Sequence, residues 1–433
     1  MRSETRHPPL ILLLVAYGAG LATGLARFPD PRLVVPALLT AAVLLHGRPL
    51  PGLLAGGAFL GAVAGRIAWW AERDGCAALL RRGAVTLTVV PLDPPPVEQG
   101  RVEAAVEGCG GEITVRWGPV TRMVSVGVPV RVRGKWYPRP DGLFGRPGGT
   151  LVVASATPDL GLRTSNHLRA RLLATTRRLY GDRAPLVDAL LFDRKGAIDR
   201  ATRDRFAASG LVHLLSISGF HVGLIVGWVL VILRAFRMRR ERAWVGATLV
   251  GVAYVAWLGW PAPATRAAAL AVLMCVANVR QRVVRWDVLL AATAFVVLIV
   301  DPWALADLGA WLSVASLWGA TVAVRWSDRR IGTGMAVRTA SGSIGATVAT
   351  APLTAGAVGS VAIAGVALNF IGIPVAAVAV PAVLGSVLLA PLWRWGAEAL
   401  AAGGGGLLAL LDQIAAVGAA IPFGHFTVET GVR

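Results

Sequence analysis

Apolar runs of membrane-spanning length recur along this chain, and no other feature restricts its fold as much. Past Leu211 they fall at 214–235, 243–260, 264–279, 286–300, 307–324, 338–357, 361–378, 378–393 and 398–422. Three more open the sequence at 9–26, 32–47 and 50–70. A helix needs about 20 apolar residues to cross a hydrocarbon core, so the spacing predicts roughly nine to twelve spanning elements. Composition agrees: 15% of residues are charged and 55% hydrophobic, against about 25% charged in soluble domains. That balance excludes a single water-soluble core. The later runs are rich in small residues, with GGGG at 403–406 and Pro374 and Pro381 inside apolar sequence. Small residues permit close helix packing. Interrupted spans are tolerated where the backbone is buried in protein or lines a cavity.

The net charge of +19 would suggest a nucleic-acid partner on a soluble protein. On a membrane protein the positive-inside bias and attraction to anionic headgroups account for it equally well. The runs RAFRMRRER (234–242), RQRVVR (280–285) and RWSDRR (325–330) recur between alternate pairs of spans. The intervening WPAPA (260–264) and DPWALAD (301–307) carry no Lys or Arg. This pattern predicts a multi-pass plasma-membrane protein with the basic loops in the cytoplasm. Counting back from those loops puts residues 75–158 outside. Three opening spans that start from a cytoplasmic N-terminus give the same answer.

Residues 75–158 have a different character. VTLTVV (85–90), RVEAAVEG (101–108), EITVRW (112–117), VPVRVRGKW (128–136) and TLVVASA (150–156) are short, β-branched and separated by Gly and Pro. Several alternate apolar and polar residues, the period of half-buried strands. Five such strands suit a small barrel of the OB type, a fold that often binds single-stranded nucleic acid. Arg101, Arg116, Arg122, Arg131, Arg133, Lys135 and Arg139 lie near Trp117, Trp136 and Tyr137. Phosphates want charge and bases want stacking faces, so this mixture suits a strand-tracking groove. It equally suits an ordinary basic barrel with a tryptophan core. Cys76 and Cys109 flank this stretch and can pair in an oxidising compartment, or are two unrelated small residues. Cys275 sits in an apolar run and reads as packing.

Residues 164–182 and the following APLVDALLFDRKGAIDRATRDRFAASG read as amphipathic helices, the first basic and lying on a surface. They lead into AASGLVHLLSISGFHVGL (207–224), the most unusual stretch of the chain. It brings His213, Ser216, Ser218, Gly219 and His221 to the start of an apolar helix, where polar groups are costly unless they face a cavity or each other. Ser218 and His221 stand three apart and can share a helix face. One reading is a Ser–His nucleophile pair, although no G-x-S-x-G elbow or orienting acid completes it. The other is that Ser216, Ser218 and Gly219 allow close helix contact, with the histidines as interfacial polar groups.

ALLFDRKGAIDRATRDRFAASGLVHLLSISGFHVGLI (189–225) resembles the signature of the ComEC competence-protein family. Its G-L-x-H-L-L-x-I-S-G-x-H-V-G-L core is complete from Gly210 to Leu224. Similarity continues in PAPATRAAALAVL (261–273), in the stretch from RWDVLLAA to DPWALADLGAWLSVASLWG (285–319), and in NFIGIPVAAVAVP (369–381). The resemblance implies a polytopic α-helical membrane protein with an inserted small extracytoplasmic OB-like β-barrel. The implied domains are helices at 1–74, the barrel at 75–158, amphipathic helices at 159–210 and a channel block at 211–433. It implies a channel for single-stranded DNA uptake during natural transformation, and no enzyme. By this resemblance His213, Ser218, Gly219 and His221 are channel-mouth candidates, Arg266 an intramembrane phosphate contact, and Asp307 a residue that orients or counters it. Arg116, Trp117, Arg131, Arg133, Lys135, Trp136 and Tyr137 are the strand-binding candidates on the barrel.

Longer members of that family append a metallo-β-lactamase-like domain. No H-x-H-x-D-H cluster occurs here, and the six histidines lack metal-ligand spacing, so no metal or cofactor is expected. With no G-x-x-x-x-G-K-[ST] loop, the driving energy is expected from a cytoplasmic ATP-driven motor. Extracytoplasmic DNA-receptor proteins and a separate nuclease are the other expected partners. Two other function classes fit the sequence: a transporter of small solutes or lipids, built on broken spans at 361–393, and a membrane hydrolase using His213, Ser218 and His221.

Overall fold

The structure, a computed structural model, describes residues 9–26, 39, 49–73, 80–91, 100–107, 112–117, 129–138, 148–158, 167–192, 198–215, 217–258, 260–358, 360–422 and 424–427. Apart from residue 39, the run at 32–47 lies outside the described residues, as do Cys76, Cys109, Arg122, Arg139 and Ser216. The chain forms two compact units, 1–167 with 288–307 and 168–287 with 308–433.

In the first unit, α1 (Pro9–Leu25) and α2 (Pro49–Arg73) pack through small residues. Gly20 meets the backbone of Ala58, Gly24 that of Ala62, Gly61 that of Tyr17 and Gly65 that of Leu21. A Cβ at any of these four would overlap the facing main chain. The meeting points advance in the same direction on both helices, so the pair is parallel. The small-x-x-x-small spacing of Gly20 with Gly24 and of Gly61 with Gly65 is what lets two backbones approach this closely in lipid.

The five expected strands all form. They are β1 (Gly83–Pro91), β2 (Gly100–Val106), β3 (Glu112–Trp117), β4 (Val130–Pro138) and β5 (Gly149–Pro158), closed into a barrel in the order β1-β2-β3-β5-β4. The β3–β5 pairing is parallel, while β1 closes antiparallel on β4. Closure leaves no free sheet edge. Val89, Val115, Val132 and Leu151 fill the interior with the two tryptophans, Trp117 and Trp136.

The second unit begins with α3 (His167–Tyr180), α4 (Ala184–Phe192) and α5 (Arg200–Ala208). Expected as amphipathic helices, the first of them on a surface, these carry much of the unit's main core, packed against two later spans, α12 and α13, which are defined below. Most of α4 is buried, Val187, Leu190, Leu191 and Phe192 included. The reason lies in the glycine run at 403–406. Gly404 and Gly405 present no side chain, which makes room for the Tyr180 ring, and the Tyr180 hydroxyl pairs with Ser386 Oγ at 2.7 Å.

Then come α6 (Gly219–Ala235), α7 (Arg240–Trp257) and α8 (Ala262–Val279), consecutive and mutually packed, with Cys275 buried and free. The next helix, α9 (Trp286–Val300), belongs to the first unit from Val288 on, and its Phe295 ring meets Tyr17 edge-on at 5.1 Å. The chain continues as α10 (Leu308–Arg330), α11 (Met335–Val358), α12 (Ala364–Leu389) and α13 (Arg394–Ala419). Gly319 of α10 and Gly345 of α11 sit backbone to backbone. Two short strands, β6 (Ser360–Ala362) and β7 (His425–Thr427), pair antiparallel.

Five described helices are long and apolar enough to cross a membrane: α2, α8, α10, α12 and α13. Shorter apolar helices are α1, α6 and α9. The sequence reading is corrected at 361–393, where it expected two broken spans and the structure has the single helix α12, running through Pro374 and Pro381. Proline lacks the N–H that would bond the carbonyl four residues back, so Pro381 strands the Ala377 carbonyl. The indole N–H of Trp228, on α6, donates to that same carbonyl at 3.1 Å. A neighbouring helix thus supplies the missing donor, and α12 continues.

Candidate functional site

The unusual stretch at 207–224 folds as a tight corner between α5 and α6. Gly210 adopts φ +76°, and its Cα lies against Gly365 at the start of α12. Only a residue without Cβ satisfies both demands. A short 3₁₀ turn, Val212–Leu214, follows, and buried Leu211 and Leu214 plug into the core while His213 faces outward. The His213 Nδ1–H donates to the Gly210 carbonyl at 3.1 Å.

Ser218 is the N-cap of α6, with extended backbone. Its N–H donates to His221 Nδ1 at 3.3 Å, and its Oγ lies 3.3 Å from the same nitrogen. The imidazole thus serves as the returning arm of a helix cap. It is only 1% exposed, and its Nε2 has no hydrogen-bond partner among the described residues. A nucleophilic pair would need an acid at that nitrogen to orient the ring. Gly219 packs on α8: a Cβ there would stand 3.2 Å from the Ala267 Cβ and 4.0 Å from the Pro263 carbonyl.

The first turns of α6 and α8 are therefore in contact, and Arg266 lies one residue from that contact. Its guanidinium, on a residue 9% exposed, donates through Nη2 to the Gly309 carbonyl at the start of α10, at 3.0 Å. Helix N-termini carry about half a positive charge each, and the starts of α6 and α8 adjoin at one end of this unit. Such a place suits an anion. Asp307 belongs to the first unit, where it closes the turn Pro302–Ala306.

Sequence reasoning passed over one polar group here. Asn369, which opens the NFIGIPVAAVAVP stretch, donates to Ser343 Oγ of α11 at 3.3 Å, and its buried Oδ1 has no partner among the described residues. The signal was present in the order of residues, since a lone amide inside an apolar run is costly unless it has a task.

On the barrel, β4 alternates strictly. Val130, Val132, Gly134 and Trp136 point inward, and Arg131, Arg133, Lys135 and Tyr137 outward. Thr88 and Thr86 of β1 pair with Arg131 and Arg133, and Thr157 and Ser155 of β5 flank the same two residues on the other side. Arg116 of β3 is exposed and pairs with Val152, the β5 neighbour of Lys135. The Arg82 guanidinium sits 5.9 Å from the Tyr137 ring. The structure thus gathers Arg116, Arg131, Arg133, Lys135 and Tyr137 on one outer surface.

Two of the barrel candidates are corrected. Trp117 and Trp136, expected as stacking faces, are 1% and 0% exposed inside the barrel. Alternation decides this: Arg116 outward forces Trp117 inward, and Lys135 and Tyr137 outward force Trp136 inward. Among the described residues no three His, Cys, Asp or Glu side chains are grouped to hold a metal ion.

A family model described as competence protein matches residues 190–432, which takes in the 207–224 corner and every helix after it. The chain belongs to the competence protein family. No curated protein and no solved structure matches it. This competence protein is accordingly a multi-pass membrane protein with a role in DNA uptake. Its family match begins at the last turn of α4 and takes in α5, while the barrel precedes the matched region.

Proposed function

We propose that this protein forms the passage by which single-stranded DNA crosses the plasma membrane during natural transformation, and that its barrel handles the strand before it enters. The observation that carries this reading is the outer face of β4, where three cations and an exposed tyrosine stand in one row between hydroxyl-bearing strands. Guanidinium and ammonium groups suit phosphates, an aromatic face suits a base, and neither use depends on sequence. The adjoining starts of α6 and α8 with Arg266 supply a second place for a polyanion, at the helical unit itself. His213, Ser218, Gly219 and His221 form the corner beside it.

The orientation follows from charge. Arg237 and Arg239, then Arg280 to Arg285, then Arg329 and Arg330, and Arg394 stand at alternate turns, which we assign to the cytoplasm. The turns after α7, α9 and α11 carry no Lys or Arg and, with the barrel, face outward. Parallel packing of α1 and α2 supports an odd number of opening spans, because consecutive spans joined by a short loop run antiparallel; with the barrel outside, an odd number starts from a cytoplasmic N-terminus. A motor in the cytoplasm and receptors outside complete the path.

A small-solute transporter is the reading from another class. It loses its main support with the continuity of α12. A Ser/His hydrolase is weakened by the capping role of His221 Nδ1 and by its Nε2, which has no partner among the described residues.

Full-length protein in neutral detergent should bind a fluorescent oligodeoxythymidylate with steep salt dependence. R131Q/R133Q/K135Q should weaken binding and flatten the log–log salt slope by about 0.7 for each phosphate that is no longer neutralised. Unchanged affinity and slope would remove the barrel from the DNA path. In a deletion strain complemented with this chain, R266A should abolish transformation while the protein still reaches the membrane; wild-type uptake would take Arg266 out of the passage.

A further inference from the structure

The C-terminal end of α10 carries a cluster of arginines that the proposed DNA path does not call on. Of the five long apolar helices, α10 is the least enclosed by protein. Trp311, Val314, Trp318, Val322 and Trp326 recur every three or four residues on it and are all exposed, so they form one stripe along the helix. At its C-terminal end the stripe meets three arginines. Val322, Arg325, Trp326, Arg329 and Arg330 line an open cavity of ≈ 400 Å³. The one acid in this turn, Asp328, is occupied elsewhere, gripped by Arg338 of α11 through bonds of 2.8 and 3.0 Å. Among the described residues no carboxylate lies within ion-pair distance of Arg325, Arg329 or Arg330.

The charge balance favours an anion. The end of an α-helix carries about half a negative charge, which three guanidiniums outweigh several-fold. Guanidinium groups match a phosphate's oxygens in pairs and suit an interface better than ammonium does. The shape then limits which anion. A ligand here meets cations at one end and a tryptophan–valine stripe at the other, so it has to be both a phosphate and a hydrocarbon. Basic side chains clustered where a membrane helix ends attract anionic lipid headgroups by this chemistry.

We propose that this end of α10 is a binding site for an anionic phospholipid, its phosphate held by Arg325, Arg329 and Arg330 and an acyl chain lying along Val322, Trp326 and Trp318. The site is independent of the DNA reading, since it is tested by lipid binding and not by transformation.

The test uses full-length protein in neutral detergent, with bound dioleoyl-phosphatidylglycerol counted by native mass spectrometry against dioleoyl-phosphatidylcholine. The wild type is expected to retain phosphatidylglycerol at least about tenfold more tightly. R325Q/R329Q/R330Q should bring its binding down to the phosphatidylcholine level. V322W, which fills the groove and keeps every charge, should do the same, and R237Q/R239Q/R242Q, which removes as much charge from another turn, should change nothing. Equal binding of the two lipids would overturn the proposal, and so would an equal loss in the R237Q/R239Q/R242Q control. Displacement of the lipid by equimolar sn-glycerol 3-phosphate or oligodeoxythymidylate would also overturn it, by showing a site for phosphate without an acyl chain.

Discussion

Gly210 meets two demands at once, and each alone would exclude other residues. Its φ of +76° costs an L-residue about 1–2 kcal/mol. A Cβ would also stand 2.9 Å from the Gly365 Cα and 3.1 Å from the Ala362 Cβ. G210A is therefore expected to lower stability by about 1–2 kcal/mol or more, read as the thermal midpoint in detergent, and to disturb the corner that carries His213. An unchanged midpoint would mean that the corner adapts. Asp199 is a second residue whose role is local. It caps α5, accepting the Thr202 N–H at 2.9 Å, and this bond holds its carboxyl below the usual carboxylate range. A depressed carboxylate stabilises the fold above its unfolded value and loses that contribution as pH falls through the folded one. D199A should thus cost about 1 kcal/mol at neutral pH, with the gap to wild type closing below about pH 4. D199N, a good cap without charge, should show no such pH dependence. A gap that persists at low pH would mean the cap does not act through its charge.

At the scale of elements, α12 shows how a helix survives two internal prolines. The carbonyl stranded by Pro381 is the one that Trp228 reaches from α6. W228F should cost about 0.6 kcal/mol, the average for hydrogen bonds between membrane helices, and at most about 1.7. In a P381A background, where residue 381 regains its N–H, W228F should cost almost nothing. A double-mutant cycle in thermal unfolding isolates this coupling, and additive effects would mean the indole bond is not what offsets the proline. Pro381 was visible in the sequence but its partner was not, because the register of α6 against α12 is set by packing between distant segments. The barrel strands were legible for the opposite reason. Alternation at period two is a local property, and it places Arg131, Arg133 and Lys135 outside without knowledge of any partner strand. The same alternation, followed one residue further, assigns Trp117 and Trp136 to the core.

At the scale of the molecule, continuity of α12 turns two of the nine spans expected after the corner into one, and on our proposed orientation, which takes each helix from α6 to α13 as one crossing, eight are left. An even count returns the end of α13 to the side where α6 begins. The pairing of β6 with β7 agrees, since it joins the α11–α12 turn to the segment after α13, and both then lie on one side. Reporter fusions at Arg131 and after Arg433 should therefore fall on the same face of the membrane, and a fusion at Arg239 on the other. A C-terminal reporter on the Arg239 face would restore the odd count.

Hydrophobic run length, charge alternation and strand period are carried by neighbouring residues, so the sequence by itself determined a polytopic helical protein and its five-stranded insert. Burial of α3 to α5, the Trp228 bond that keeps α12 whole and the meeting of Gly219 with α8 were decided by tertiary structure alone. Each depends on which distant surfaces come together. A backbone carbonyl or a glycine gap leaves no trace of its partner in the order of residues.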